Sequence, residues 1–165
     1  MRSGLAMLLL AVAAIGQGCA GYRLGPTNGV AARSQSVQVN PFINETIEPR
    51  LGEAVTHALR KALQQDGTFS LDTSNSGDVI VTGRIVRWDR RALSYQRRDV
   101  ATPRDYRLTI TAWVTARDRR TGRTLLDRKV SGHSTVRVGA DLVSAERQGL
   151  PLVADDLARN TTALL

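Results

Sequence analysis

"DYRLTITAWVTARDRRTGRTLLDRKVSGHSTVRV", residues 105–138, alternates almost without a break. In an extended chain Tyr106, Leu108, Ile110, Ala112, Val114 and Ala116 point one way. Arg107, Thr109, Thr111, Trp113, Thr115 and Arg117 point the other. An apolar row backed by a polar row is the pattern of an antiparallel sheet covered on one side only. "DRRTGR" (118–123) reads as a hairpin connection in which Gly122 is free to take a positive φ, and "TLLDRKVSGHSTVRV" (124–138) as the return strand. A one-sided sheet needs a cover, and the rest of the chain has to supply it.

The cover is legible on both flanks. Leu51, Val55, Ala58, Leu59, Ala62 and Leu63 recur at helical spacing and predict an amphipathic helix to about Gln65, with Pro49 in its first turn and Gly67 as a stop. Leu150, Val153, Leu157, Thr161 and Leu164, with Ala154 and Ala158 between them, predict a second. Gly149 and Pro151 leave its start open between Leu142 and Pro151. "SVQVNPF" (36–42), "TFSLDT" (68–73) and "VIVTGRIVRWD" (79–89) read as further strands. Arg90 to Thr102 reads as a polar, basic connection with room for a short strand at Ala92–Gln96. The expected fold is therefore α+β: two amphipathic helices packed on one face of a mostly antiparallel four- to five-stranded sheet, forming a single domain over 35–165.

The front of the chain has a different character. Arg2 precedes an uninterrupted apolar run from Leu5 to Ile15, eleven residues long. A membrane-spanning helix needs roughly 20 apolar residues, whereas a secretory signal needs only such a short run. Small residues at 16–18 then lead into Cys19, the single cysteine of the 165-residue chain, which can form no internal disulfide. This resembles the lipobox of bacterial lipoprotein precursors, although Gly16 stands where a leucine is usual. The expectation is a signal peptide over 1–18, lipidation at Cys19, and a Gly/Ala-rich tether over 19–34. A lone thiol left free in an oxidising compartment would be a liability, and two or more acyl chains anchor stably. The alternative is an ordinary secretory signal cut near Gly18. Ala20 is not the aspartate that resembles an inner-membrane retention signal, which favours the outer membrane.

The formal net charge is +8, and of the 23 basic residues only Lys61 and Lys129 are lysines. Guanidinium groups fork onto phosphates and carboxylates, so a basic face on an exported chain suits an acidic, phosphorylated partner, and nucleic acid is not expected. Catalytic chemistry has no candidate. His57 and His133 stand apart with no cysteine, carboxylate pair or second histidine at ligand spacing, so no metal site and no cofactor is expected. There is no phosphate loop, no G-x-S-x-G and no Cys/His pair. Asp155 and Asp156 are neighbours on a helix and face different directions.

Four stretches together resemble the LptE family of lipopolysaccharide-assembly lipoproteins: "GCAGYRL" (18–24), "VQVNPFINETIEPRLGEAVTHAL" (37–59), "DYRLTITAWVTARDRRTGRTL" (105–125) and "AERQGLPLVADDLARNTTALL" (145–165). It is their order and spacing that carry the likeness. The resemblance implies a non-enzymatic lipoprotein on the periplasmic face of the outer membrane, held there by its N-terminal lipid, that plugs the LptD β-barrel and contacts lipopolysaccharide. Strand–Pro-Phe-x-Asn–helix patterns also occur in periplasmic lipoproteins that build secretion channels or activate cell-wall synthases, and those are the alternative. Arg87, Arg90, Arg91, Arg97 and Arg98 crowd one strand end and the loop after it, and of these Arg90, Arg91, Arg97 and Arg98 are selected for lipopolysaccharide, a solvated loop or an LptD-facing contact being the alternative; Arg119, Arg120 and Arg123 form a second basic patch at the other end of the sheet.

Overall fold

In the computed structural model, which describes residues 35–96, 99–139 and 141–165, the alternating stretch lies within a six-stranded sheet. Residues 1–34, with the signal peptide, Cys19 and the tether, lie outside the described residues, as do Arg97 and Arg98. In chain order the elements are β1 (Ser36–Val39), β2 (Ile43–Asn44), α1 (Leu51–Asp66), β3 (Ser70–Asp72), β4 (Val79–Gln96), β5 (Asp99–Asp118), β6 (Thr124–Arg137) and α2 (Leu142–Thr162). The sheet runs β3-β1-β4-β5-β6, and β2 lies beside β1 along the same edge of β4.

Both helices pack on one face, as the periodicity requires. Leu51, Val55, Leu59 and Leu63 of α1 and Val153 and Leu157 of α2 are buried against Ile85, Leu108, Ile110, Ala112 and Val114. Each large apolar side chain buried this way contributes about 1.5–3 kcal/mol. Phe42 joins the core, and its backbone N–H donates to Thr56 Oγ1 at 2.9 Å, which ties the start of α1 to the sheet.

Two features differ from expectation. The sheet has six strands where four or five were expected, and although its long pairings are antiparallel as expected, β1 runs parallel to both β3 and β4 and β2 runs parallel to β4. The reason is connectivity: α1 carries the chain back along the sheet, so β3 enters in the direction of β1. Residues 73–78 then cross the open face of β1 to reach the start of β4. Gly77 lies so close that a methyl group there would sit 2.6 Å from Gln38 N.

The second difference is the length of the central hairpin. β4 and β5 pair from Val79↔Asp118 out to Gln96↔Asp99, so the expected connection at 90–102 is a two-stranded ribbon. A β-bulge at Val86 hides this from the sequence. Ile85 opposes Ala112 but Arg87 opposes Thr111, so one residue is extra and the alternation changes phase. Ile85 and Trp88, three apart, then share the helix side.

α2 starts at the earlier of the two expected positions. Asp141 caps it, accepting from Ser144 N and Ser144 Oγ at 2.7 Å each. Pro151 sits inside the helix. The same helix seals one edge of the sheet: His133 N donates to Asp156 Oδ2 at 2.9 Å, and Asn160 Nδ2 donates to Ser131 O at 2.9 Å. Gly132 between them lets the backbones meet, since a methyl there would lie 2.6 Å from Val153 O.

Candidate functional site

The basic residues of the ribbon are sorted by the pleat. Arg90 opposes Leu108 on the helix side of the sheet, and its NH1 donates to Glu146 Oε1 of α2 at 2.8 Å. Glu146 is only 14% exposed, so this guanidinium is held by a largely sheltered carboxylate. Arg91 opposes Arg107 on the open face. Both are exposed, and neither has an ion-pair partner among the described residues. Arg87, on the same face, reaches Asp89 at 3.6 Å. Arg90 and Arg91 therefore look in opposite directions, and Arg97 and Arg98 lie outside the described residues. The open face gains Arg107, which the sequence had placed in the polar row without marking it as a partner of Arg91.

Further along the ribbon Asp105 takes a hydrogen bond from Ser94 Oγ and another from Arg137 Nε at 3.0 Å. These contacts, the Ser94 hydrogen bond first and Arg137 next, hold its carboxyl below the usual aspartate range. It remains an anion that orders the ribbon base.

On the helix side, beside the Arg90–Glu146 pair, a groove of about 610 Å³ opens between the start of α1 and the middle of α2. Its walls combine Trp88, Val143 and Leu150 with Arg50, Glu53, His57 and Arg147. The indole N–H of Trp88 is buried without a hydrogen-bond partner. Charges of both signs line the groove, so it is suited to an amphipathic surface and not to a simple anion. Composition alone could not reveal it, because its residues come from three separate elements.

The second basic patch is different in kind. Arg119 Nε donates to Gly77 O at 2.7 Å, and its NH2 donates to Asn75 O at 2.9 Å and to Gln38 Oε1. It pins the 73–78 crossing onto β1. Arg120 and Arg123 are exposed on the turn, where Gly122 has φ of 70°. The register sets this turn at the Val79 end of β4, away from the Arg91–Arg107 pair.

His57 is exposed and 3.8 Å from Glu53, while His133 lies 3.4 Å from Asp156. Among the described residues no three His, Cys, Asp or Glu side chains come together as a metal site. No described helix is long and apolar enough to cross a membrane.

A family model described as LptE, lipopolysaccharide-assembly, matches residues 34–163 of the chain. No curated protein sequence matches it. Among solved structures, a protein from Xanthomonas campestris aligns with a TM-score of 0.57 at 14% identity, covering 86% of this chain and 91% of that one. A PelC dodecamer from Paraburkholderia phytofirmans aligns at 0.51 and 20% identity, covering 86% and 94%. A protein from Chlamydia trachomatis aligns at 0.57 and 10% identity, covering 78% and 94%. At these identities the likeness is one of fold.

Proposed function

The chain belongs to the LptE family of lipopolysaccharide-assembly proteins, and from that premise we propose that it is a non-enzymatic outer-membrane lipoprotein that partners and plugs an LptD-like β-barrel. The single observation that carries this reading is the family match across residues 34–163, which spans every described element. Cys19, joined to lipid and left as the first residue once residues 1–18 are removed, supplies the membrane attachment on the periplasmic face. Residues 35–165 are the working domain.

Lipopolysaccharide contact falls to the ribbon. Arg90 and Arg91 lie on the ribbon at one end of the sheet, Arg97 and Arg98 follow them closely in sequence, and Arg91 has Arg107 beside it on the open face. Arg91 and Arg107, exposed and without carboxylate partners among the described residues, keep their donors free for the phosphates of a glycolipid, whereas Arg90 is shared with Glu146.

The test is a pull-down from detergent-solubilised outer membranes. A large β-barrel that co-purifies with the chain supports the barrel partnership. A ring-forming oligomer with no barrel moves the chain to the secretion-channel alternative, and a captured cell-wall synthase moves it to the activator one. Replacing Arg90, Arg91, Arg97 and Arg98 with serine is expected to weaken salt-sensitive lipopolysaccharide binding and to leave the barrel complex intact. Intact mass of the mature protein checks the anchor: acyl groups are expected on the wild type and none on Cys19→Ser.

A further inference from the structure

The sheet protects its edges unevenly. β3, at one side, is three residues long, and β6, at the other, is sealed by Asp156 and Asn160 of α2. β4 has an outer edge that β1 and β2 cover only as far as Ile85, where Glu45 N donates to Ile85 O at 3.0 Å. Beyond that point no described strand pairs with it, although β4 continues to Gln96. A strand edge of this length is a template for another strand. Leu93 and Tyr95 flank it at 43% and 52% exposure, and Ile47, at 93%, stands where the chain leaves β2.

We propose that the open edge of β4, residues 86–95, adds an extended acidic segment of a partner protein as a further strand of the sheet. The backbone groups that would bind it follow from the register. Val81 O and Ile85 O point away from β5, because Asn40 N and Glu45 N donate to them. Past the bulge at Val86 the alternation turns Trp88, Arg90 and Ala92 outward. The far side of the sheet agrees, for Ser131 and His133 of β6 also turn outward, to α2. Charge selects the occupant. Along this edge Arg87 reaches Asp89 and Arg90 is held by Glu146, while Arg91, with Arg107 opposite it, has no carboxylate partner among the described residues, so the edge stays net positive. A second copy pairing antiparallel would set these arginines against each other, and like charges directly opposite are destabilising. Glutamates or aspartates on an incoming strand would meet them favourably, while main-chain hydrogen bonds supply affinity. The main-chain pairing is separate from lipopolysaccharide contact, although the choice of an acidic strand draws on Arg91, which that contact also uses.

The experiment uses the full chain and a fluorescein-labelled peptide of alternating Glu and Val, with one of alternating Lys and Val as control. The Glu peptide is expected to bind and the Lys peptide not. At saturation, hydrogen exchange at the amides of Trp88, Arg90 and Ala92 should slow by about tenfold or more. Ala92→Pro removes one outward donor, leaves every arginine in place, and occupies an edge position that proline tolerates. It should weaken binding about tenfold, the worth of one hydrogen bond. Binding without protection of those three amides overturns the proposal, as does equal binding of both peptides or unchanged binding by folded Ala92→Pro. Should that variant not fold, amide protection in the wild type decides alone. Concentration-dependent protection without peptide would make the occupant a second copy and overturn the acidic strand.

Discussion

Two side chains illustrate how residues of one type divide between architecture and surface. Arg119 belongs to a run of basic residues, yet its donors are spent on Gly77 O, Asn75 O and Gln38. Arg119→Ala is expected to cost about 1–3 kcal/mol by leaving those acceptors unpaired, with lipopolysaccharide binding unchanged; urea unfolding and a binding titration check the two halves. Asp156 is the acidic counterpart. Burial pushes its carboxyl up, but the His133 amide and Arg159 more than offset this and hold it below the ordinary range. A depressed folded-state pKa stabilises above the unfolded value of about 3.9 and is lost as pH falls through the folded one. Asp156→Asn should therefore be less stable than wild type by about 1–2 kcal/mol at pH 7. The gap should close as the medium is taken below about pH 4, and unfolding midpoints at pH 7 and pH 3 measure it.

At the scale of elements, α2 works against a local cost. Pro151 lies within the helix, lacks an N–H for the carbonyl of Arg147, and is exposed. The helix persists because Asp141 caps its start and because Val153, Ala154, Leu157 and Ala158 are buried beyond it. Pro151→Ala should raise stability by about 1–3 kcal/mol, seen as a higher urea midpoint at unchanged slope. The central ribbon shows the opposite balance. Its polar, arginine-rich composition reads as a connection, yet the pairing with β5 holds it extended to Gln96. Local propensity was overridden there by a partner strand.

For the whole molecule the governing feature is that one face of the sheet is covered and the other open. Ile110 is fully buried under the helices, whereas Thr111 faces outward and shares a 3.0 Å hydrogen bond with Ser131. Ile110→Asp buries a charge without a partner and should unfold a domain whose total stability is about 5–15 kcal/mol. Thr111→Asp should cost under about 1 kcal/mol. Circular dichroism melts of the two variants test this, and equal damage from both would refute the one-sided sheet. The asymmetry also organises function. The helix side carries the groove beside Trp88, the open side carries Arg91 and Arg107, and no described strand pairs with the outer edge of β4 beyond Ile85.

The alternation at 106–116, the helical spacing of Leu51 to Leu63 and the turn glycine Gly122 are local signals. A pleated strand and a helix each impose a fixed period on whichever residues face the core, so the α+β class and the covered face could be read along the chain. The parallel pairing of β1, the bulge at Val86, the opposite aims of Arg90 and Arg91, and the anchoring of Arg119 forty-two residues away at Gly77 could not. Each depends on which distant segment arrives alongside. That is settled only when the hydrogen-bonding edges and the apolar faces are satisfied together, because a strand's period says which side is buried but not what lies at its edge.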